Sequence, residues 1–297
     1  MLLFCCHTPA HEVLYRQVFL PSVPEGFEVR STVLGIDGPG DYLSDEFLRC
    51  IRAKLDLVIR SVEGNSGDII VWSDVDIRFF DLTPSALAAE LESSACDVLF
   101  QQESPRMDDV NTGFFVCRCT PAVLEFFTTV HSELESHPEE NEQMVVNRLL
   151  KKEKCGMGNA KCEMRIRGRG VGPDSLLNKE FGIRNSEFEM EKPIAGAREA
   201  NGECGIANSE LGMEKPVNEK QNPRISWGYL PRNFYARTHG WPPPRHLAIY
   251  HANYTKGRDG VGQKLAQFAE IESIQRTGLP AWLWSVLRRI PGKILRS

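Results

Sequence analysis

The sequence predicts an α/β fold, in which helices cover both faces of a sheet of buried strands. Strand-like and helix-like stretches alternate over the first 150 residues, and the strand candidates are short apolar runs. Such runs are typical of strands that are buried on both faces. With 297 residues, of which 41% are hydrophobic and 25% are charged, the chain can bury one large core. We therefore expect a single domain.

The predicted elements follow one another in a regular order. Apolar runs predict strands at residues 2–6, 27–35, 68–73, 97–100 and 113–117. Apolar residues spaced three or four positions apart predict helices at residues 11–20, 44–62, 84–91, 121–136 and 141–150. Thr83 is placed to cap the helix that begins at residue 84. Ligands of such sheets bind outside the carboxyl ends of the strands, so polar residues that follow a strand are candidate site residues.

Residues 151–222 differ from this pattern, because large apolar residues are few and Gly, Asn, Glu and Lys dominate. The sequence Gly-Ile-Arg-Asn-Ser-Glu at 182–187 returns as Gly-Ile-Ala-Asn-Ser-Glu at 205–210. Met-Glu-Lys-Pro occurs both at 190–193 and at 213–216. We predict a repetitive, low-complexity insertion that is disordered, and a regulatory or partner-binding role for it stays open.

Ordered composition resumes near residue 223. We expect residues 223–268 to complete the core formed by residues 1–150, and residues 269–297 to form an amphipathic basic tail helix. The mixture of aromatic, aliphatic and basic residues in that tail fits a helix that lies on anionic lipid. A helix that docks on the domain through Trp282 and Trp284 fits the same residues.

Charge and cysteine content restrict the class of protein. The net charge of −5 gives no electrostatic reason to expect nucleic-acid binding, so a small-molecule or glycan substrate fits better. The nine cysteines lack the spacing of a disulfide framework or of a zinc site, which indicates reduced thiols. No apolar run approaches the length of a membrane span. We expect a cytoplasmic protein, peripheral at the inner face of a membrane if the tail binds lipid.

Asp74-Val75-Asp76 is the strongest chemical signal in the sequence, because it directly follows the most apolar of the predicted strands. Two carboxylates one residue apart can converge on a divalent cation where a strand ends. Mn²⁺ or Mg²⁺ at this position could bind a diphosphate and stabilise it as a leaving group. A solvated pair of acidic turn residues is the alternative interpretation.

Four stretches, in this order, resemble the nucleotide-diphospho-sugar transferase family, whose members are glycosyltransferases with the GT-A fold, a mixed sheet flanked by helices. They are Asp74-Val75-Asp76, Asn111-Thr112-Gly113-Phe114-Phe115, Asn141-Glu142-Gln143 and His251-Ala252-Asn253-Tyr254-Thr255-Lys256-Gly257. With the flanking strands they cover most of residues 1–150 and 225–265. The resemblance implies transfer of a hexosyl or pentosyl group, with retention at the anomeric carbon. The donor would be a nucleotide-diphosphate sugar, and the acceptor hydroxyl would belong to a glycan, a lipid-linked molecule or a protein.

The resemblance also implies a role for individual residues at the donor diphosphate. Asp74, Asp76 and His251 would bind the divalent cation, Mn²⁺ or Mg²⁺, and the two aspartates would also bind the donor. Asn253 and Lys256 would contact the donor close to this cation. A histidine satisfied within the core is the competing interpretation of residue 251.

A second group of residues is expected at the donor sugar. Asn111, Glu142 and Gln143 would act as catalytic residues there, and Asp97 and Gln101, which we expect to end a strand, would bind the donor. This sequence has Glu142 where the family more usually has Asp. Asn111 is equally consistent with an Asn-led turn into a strand. The pattern at 141–143 is equally consistent with a helix N-cap followed by an acid in the first turn.

Two lysines are ambiguous, and two other functions stay open. Lys54 and Lys264 could reach the donor, but both are predicted to be solvated surface residues. A catalytically decayed carbohydrate- or nucleotide-binding protein would use the same scaffold. A nucleotidyltransferase would need a Gly-rich phosphate loop after the first strand, and the sequence from Cys6 to Ala10 does not provide one.

Overall fold

The structure of the protein is a computed structural model that describes residues 1–38, 44–104, 107–156, 224–237, 242–253, 255 and 259–277. The predicted insertion, apart from its first residues, lies outside these ranges. The predicted tail beyond residue 277 and Lys256 also lie outside them.

The described residues form nine strands in two sheets. The strands are β1 (Leu2–His7), β2 (Glu28–Val33), β3 (Ile69–Ser73), β4 (Ile77–Phe79), β5 (Val98–Ser104), β6 (Met107–Arg118), β7 (Trp227–Tyr229), β8 (Phe234–Ala236) and β9 (Ile249–His251). The main sheet has the order β2-β1-β3-β6-β5-β7, and the smaller sheet has the order β4-β9-β8. In the main sheet β1 is parallel to both neighbours, whereas β6 is antiparallel to β3 and β5. The predicted class, an α/β fold with a mixed sheet flanked by helices, is confirmed.

Helices connect most of these strands. They are α1 (Glu12–Leu14), α2 (Leu20–Ser22), α3 (Asp45–Gly64), α4 (Thr83–Ser93), α5 (Pro121–Ser136), α6 (Glu142–Gly156) and α7 (Gly260–Thr277). The first predicted helix is a series of short turns, with a 3₁₀ turn before α1 and a π-helical turn between α1 and α2. The other predicted helices are present with ends that differ by a few residues.

Side-chain caps explain where three of the helices begin. The Ser44 hydroxyl accepts from the Phe47 amide at the start of α3, and Thr120 caps α5 in the same way. At α6 the Asn141 side-chain oxygen accepts from the Met144 amide at 2.9 Å. These bonds satisfy backbone amides that have no partner within the helix. The N-cap interpretation of Asn141 therefore holds.

Thr83 is not a cap, which corrects the sequence prediction. It is the first residue of α4, and the residue before it, Leu82, occupies the cap position without a side-chain hydrogen bond. The buried Thr83 hydroxyl lies 2.7 Å from the Phe80 carbonyl oxygen and 2.5 Å from the Ala248 carbonyl oxygen. A buried hydroxyl needs such a partner, and this one ties α4 to the residue that precedes β9.

Both faces of the main sheet are covered. Ile70 and Trp72 of β3 lie in one cluster with residues of α3, α5 and α6, whereas Val71 lies in a second cluster with Phe19 and Phe114. Each large apolar side chain buried in this way contributes about 1.5–3 kcal/mol. Burial on both faces explains why β3 is a continuous apolar run, and it holds the end of β3 firmly in place.

The residues after 223 complete both sheets. β7 pairs in parallel with β5 at the edge of the main sheet. In the smaller sheet, β9 is antiparallel to β4, so that Ile77 lies opposite His251. Helix α7 packs against this sheet through Phe268, Ile271 and Ile274. This arrangement brings His251 next to the residue that follows Asp76.

Two strands extend further than their apolar residues indicate. β5 continues to Ser104 and β6 begins at Met107, whereas the predicted strands cover residues 97–100 and 113–117. The added residues are mostly polar, and several of them line the candidate site. The cysteines in the described ranges are free thiols, namely Cys5, Cys6, Cys50, Cys96, Cys117 and Cys119. Among the helices that the structure describes, none has the length and apolar character needed to cross a membrane.

Candidate active site

Backbone hydrogen bonds fix the Asp-Val-Asp turn from two sides. The Asp74 amide donates to the Gly113 carbonyl oxygen of β6 at 2.7 Å, and the Ala252 amide donates to the Asp76 carbonyl oxygen at 2.9 Å. Val75 is buried between the two aspartates in the second apolar cluster. Both carboxylates are therefore held at the carboxyl end of β3, where ligands of open α/β sheets bind.

Asp74, Asp76 and His251 converge at this edge. One potential ligand atom from each side chain lies within 4.8 Å of the other two. Nε2 of His251 is 3.3 Å from Oδ1 of Asp76. The exposed fraction of the side chain is 32% for Asp74, 11% for Asp76 and 3% for His251. The cluster therefore opens to solvent on the Asp74 side, and its imidazole is the buried member.

The hydrogen bonds of His251 favour a cation in this cluster. Nδ1 of His251 lies 2.9 Å from Oε1 of Gln101, whose amide nitrogen donates to the Phe234 carbonyl oxygen at 3.2 Å. Gln101 thus presents its oxygen, so the proton of the neutral ring resides on Nδ1. The lone pair of Nε2 then faces a carboxylate oxygen of Asp76, which requires a proton or a metal ion between them. Two carboxylates and one imidazole are donors that suit a divalent cation.

Gln101 has a different role from the expected one. It was predicted to bind the donor at the end of a strand, but it lies within β5 and is 0% exposed. Both ends of its amide are engaged, with His251 and with Phe234. A side chain without solvent access cannot contact the donor in this conformation. Gln101 therefore orients the imidazole.

Gly113 allows the imidazole of His251 to lie against β6. A Cβ atom at Gly113 would overlap Cε1 of His251, and it would lie 2.9 Å from Oδ1 of Asn111 and 3.0 Å from Oδ2 of Asp74. Real Cβ atoms do not approach other atoms this closely without a shift of one partner. The glycine of the Asn-Thr-Gly stretch is thus required for close approach.

Each aspartate is paired with a lysine, which corrects the prediction that Lys54 and Lys264 are solvated. Nζ of Lys54 lies 2.9 Å from Oδ1 of Asp74 and 3.0 Å from Oε1 of Glu142, and its side chain is 10% exposed. Nζ of Lys264 lies 2.7 Å from Oδ2 of Asp76, and its side chain is 17% exposed. Two ammonium groups therefore pair with three carboxylates of this site, those of Asp74, Asp76 and Glu142.

The helical spacing around the two lysines was the signal that sequence reasoning missed. Lys54 lies three residues after Ile51 and four before Val58, both of which are buried. Lys264 lies four residues before the buried Phe268. Residues three or four positions apart share one face of a helix. Each lysine therefore lies on the buried face of its helix, where a charged side chain needs a partner.

Burial and neighbouring charges separate the acidities of the two aspartates. Burial raises the pKa of Asp74 above its ordinary value, and the attraction of Lys54 only partly offsets this rise. Burial also acts to raise the pKa of Asp76, but the charges of Lys264 and His251 outweigh it and hold this pKa well below its usual value. Asp76 is therefore the more firmly ionised of the two carboxyl groups.

Asn111 is more enclosed than predicted. β6 departs from its ladder with β5 at this point, because Phe100 pairs with Phe115 but Gln101 pairs with Asn111. Asn111 is 1% exposed; its side-chain oxygen accepts from the Gly113 amide at 2.8 Å. Such irregularities often re-aim residues next to active sites. The side-chain oxygen of Asn111 is thus used in a local hydrogen bond that shapes β6, and it is not free to bind a sugar hydroxyl.

Glu103 is a site residue that sequence reasoning did not find. Its Oε2 accepts from the side-chain amides of Asn111 at 2.5 Å and of Gln143 at 3.3 Å. Its Oε1 lies 3.3 Å from the side-chain nitrogen of Asn253. One carboxylate therefore gathers three amide side chains from β6, α6 and the loop after β9. Its position in a polar stretch, with no apolar alternation, left no signal in the sequence.

Glu142 and Gln143 stand beside the cluster in the first turn of α6. Besides Lys54, Oε1 of Glu142 lies 3.3 Å from the Thr112 hydroxyl, and Oε1 of Gln143 accepts from the Thr112 amide at 3.3 Å. Glu142 is buried, whereas Gln143 is partly exposed. Lys54 therefore links Glu142 to Asp74, whereas Gln143 contacts Thr112 and Glu103. An acid in the first turn of a helix is also what a helix N-terminus favours.

Asp97 is not part of this site, which corrects the sequence prediction. It precedes β5 instead of ending it, and its carboxylate accepts from the amide (2.8 Å) and the hydroxyl (2.6 Å) of Ser226. Because β3 and β5 are both antiparallel to β6, their carboxyl ends lie at the same edge, opposite to Asp97. A polar residue beside an apolar run does not reveal which end of the strand faces the ligand.

Part of the chain, including several of the motifs described above, is similar to a known protein family. The sequence model of the family described as nucleotide-diphospho-sugar transferase matches residues 42–164. The matched region includes the Asp-Val-Asp turn, the Asn-Thr-Gly stretch and the start of α6. No curated protein sequence matches the chain.

Several solved glycosyltransferase structures resemble the chain at low sequence identity. The glycosyltransferase GlyE of Streptococcus pneumoniae TIGR4 is 15% identical over 50% of this chain and 43% of its own, with a TM-score of 0.37. A glycosyltransferase involved in glycosylation of the major capsid of PBCV-1 is 16% identical over 49% and 73%, with a TM-score of 0.36. The galactosyltransferase LgtC, solved with donor and acceptor sugar analogues, is 13% identical over 50% and 70%, with a TM-score of 0.35. The chain thus spans less than half the length of GlyE.

Over residues 42–164 the chain is similar to the nucleotide-diphospho-sugar transferase family.

Proposed function

We propose that this protein is a metal-dependent glycosyltransferase that takes its sugar from a nucleotide-diphosphate donor. The observation that carries the proposal is the convergence of Asp74, Asp76 and His251 within 4.8 Å, with Nε2 of the imidazole 3.3 Å from a carboxylate oxygen of Asp76. An Asp-Asp-His cluster at the carboxyl ends of the strands is placed to grip a diphosphate through a cation. The similarity of residues 42–164 to the nucleotide-diphospho-sugar transferase family supports the same donor class.

Asp74, Asp76 and His251 are the residues that would hold the cation, Mn²⁺ or Mg²⁺. When bound there, the cation would neutralise the donor diphosphate and stabilise the departing nucleoside diphosphate. Asn253 lies two residues after His251 and close to Glu103, on the side where the diphosphate would enter. Lys256, which lies outside the described residues, is proposed as a further diphosphate contact.

The residues around Lys54 are placed to hold the donor sugar. Lys54 is fixed between Asp74 and Glu142, and Gln143 lies beside them at the start of α6. Together these groups offer both donors and acceptors of hydrogen bonds to sugar hydroxyls. We therefore propose Glu142 and Gln143 as the residues nearest to the reacting ring.

In the proposed reaction, an acceptor hydroxyl attacks the anomeric carbon while the bond from that carbon to the phosphate oxygen breaks. The acceptor proton would pass to the leaving phosphate, because none of the side chains that the structure describes near the cluster stands out as a general base. Retention at the anomeric carbon is the outcome that the family resemblance suggests. The acceptor would be a glycan, a lipid-linked molecule or a protein.

The domain boundaries and the location are also proposals. Residues 1–150 and 223–268 would form the catalytic core around the insertion at 151–222. Residues 269–297 would bring the enzyme to the inner face of a membrane in the cytoplasm. The end of α7 at Thr277 is the last described part of this tail.

Metal removal tests the proposed function. We expect the full-length protein to hydrolyse at least one nucleotide sugar from a panel when Mn²⁺ is present, and to lose this activity in excess chelator. The rate should return when Mn²⁺ or Mg²⁺ is added back, since removal of the ion leaves its three proposed ligands in the chain. Release of nucleoside diphosphate is the measurement. Hydrolysis at the same rate in chelator would contradict the role of the metal.

Substitution of Gln101 tests whether the imidazole is oriented as described. Gln101→Leu removes the acceptor for Nδ1 of His251 and should weaken Mn²⁺ binding by about 10- to 100-fold. Gln102→Leu is the matched control, because Gln102 is the next residue of β5 and donates to the Met107 carbonyl oxygen instead. Titration calorimetry with Mn²⁺ alone measures both variants. Equal affinities in the two variants would refute the orienting role.

A catalytically decayed binding protein is the second candidate function. It is favoured by one observation, that the carboxylate of each aspartate forms an ion pair with a lysine of this chain. Such a protein would bind a nucleotide sugar but would not accelerate its hydrolysis in Mn²⁺. The donor panel described above therefore distinguishes the two functions directly.

A further inference from the structure

Lys264 lies against one of the two carboxylate oxygens through which Asp76 could bind a cation. Its ammonium group lies 2.7 Å from Oδ2 of Asp76, while Oδ1 of the same carboxylate faces Nε2 of His251 at 3.3 Å. Both oxygens of this proposed metal ligand are thus engaged. Lys264 comes from α7, whose buried residues Phe268 and Ile271 fix the helix against the smaller sheet.

The two lysines of the site are held differently. Lys54 bridges two carboxylates, Asp74 and Glu142, and its side chain is 10% exposed. For Lys264, Asp76 is the single salt-bridge partner in the part of the chain that the structure describes, and its side chain is 17% exposed. Lys264 is therefore the lysine that can leave its carboxylate without abandoning a second one.

We propose that Lys264 is a resident cation on Asp76 that a divalent metal ion displaces. This inference rests on the proposed function, because it assumes that Asp76 is a metal ligand. An ammonium group and a divalent ion repel each other when both contact one carboxylate, so binding of the metal requires the lysine to move away. No covalent bond changes in this exchange.

The displaced ammonium group gains a second use. The four-carbon side chain of lysine is flexible. A small change in its torsion angles can move the ammonium group away from Asp76 and still keep it at the rim of the cluster. The diphosphate of the donor would lie at this rim, and a phosphate oxygen is a suitable partner for a mobile ammonium group. Lys264 thus lowers the affinity for the metal ion alone and raises the affinity for the metal ion together with a diphosphate. Because the ammonium group exchanges Asp76 for a phosphate oxygen, binding of the metal ion and binding of the diphosphate would be coupled.

The test uses the full-length chain and Mn²⁺ alone, followed by Mn²⁺ with inorganic pyrophosphate. In Lys264→Met we expect Mn²⁺ alone to bind about tenfold more tightly, because its competitor is gone, and pyrophosphate in saturating Mn²⁺ to bind about tenfold more weakly. Lys264→Arg keeps the charge and should resemble the unmodified protein. Arg276→Met removes a charge from an exposed position of the same helix and should leave both affinities unchanged. Titration calorimetry gives the affinities, and thermal unfolding shows whether each variant is folded.

The outcomes separate this inference from the proposed function. If the unmodified protein binds no Mn²⁺, the proposed metal site is wrong, and the proposed displacement of Lys264 is rejected together with it. If the unmodified protein binds Mn²⁺ but Lys264→Met binds it equally or more weakly, only the exchange is overturned. If Lys264→Met does not fold, Lys264→Gln replaces it, with the same expected directions.

Discussion

Replacement of Asp76 by asparagine is expected to lower metal-dependent donor turnover by at least about 100-fold, since loss of an anionic ligand removes several kcal/mol of charge stabilisation. Asparagine keeps the size of the side chain but removes the charge that faces both Lys264 and His251. Among the three clustered residues, Asp76 is the buried carboxylate whose pKa is held well below its usual value, so it is ionised at any working pH. Initial rates of nucleoside diphosphate release in Mn²⁺ measure the loss.

A matched variant shows whether the effect belongs to the site. Asp81 is exposed and lies five residues after Asp76, so Asp81→Asn removes the same charge outside the cluster. It should keep full turnover. Thermal unfolding of Asp76→Asn should show a folded protein with a lowered midpoint, because the substitution leaves the largely buried Lys264 without its carboxylate partner. Full Mn²⁺-dependent turnover in Asp76→Asn would rule out its role as a metal ligand.

Gly113→Ala should damage both stability and metal binding, although it adds a single methyl group. The new Cβ atom would overlap Cε1 of His251 and crowd Oδ2 of Asp74. Overpacking of this kind costs about 1–3 kcal/mol, and the cheapest relief is displacement of the imidazole. We therefore expect a lower midpoint of urea unfolding and a loss of Mn²⁺ affinity of at least about tenfold.

Gly35→Ala is the control for this substitution, because no atom lies within 4 Å of a Cβ placed at Gly35. It should leave Mn²⁺ affinity unchanged and alter the unfolding midpoint little. Circular dichroism and titration calorimetry measure the two properties in both variants. If Gly113→Ala bound Mn²⁺ as tightly as Gly35→Ala, the close packing of His251 on β6 would have no functional importance.

Much of the main sheet could be predicted because its strands are marked by their own residues. β3 is apolar throughout, since both of its faces are buried, and this also indicated that Asp74 and Asp76 stand at a sheet edge. The polar halves of β5 and β6 carried no such signal. Their side chains turn toward the site and its amide network, where periodicity of apolar residues is lost.

The partners of the lysines could not be predicted for a different reason. The bond from Lys54 to Glu142 joins residues 88 positions apart, and Lys264 reaches Asp76 from the other end of the described chain. The spacing of apolar residues along the helix shows that such a lysine faces inward, but it does not show which carboxylate is its ion-pair partner. The prediction for Asp97 was wrong for the reverse reason. Its local sequence pattern suggested a donor-binding residue, but the sheet topology puts Asp97 at the opposite edge, where it contacts Ser226.

The pairing of β9 with β4 has a consequence for how the protein matures. His251 stands opposite Ile77, so the imidazole reaches the acidic turn only after the last strand has joined a sheet begun some 170 residues earlier. A chain that has folded only its first half would hold both aspartates and Lys54 but would lack the third ligand. The proposed metal site would therefore be complete only after β9 has paired with β4.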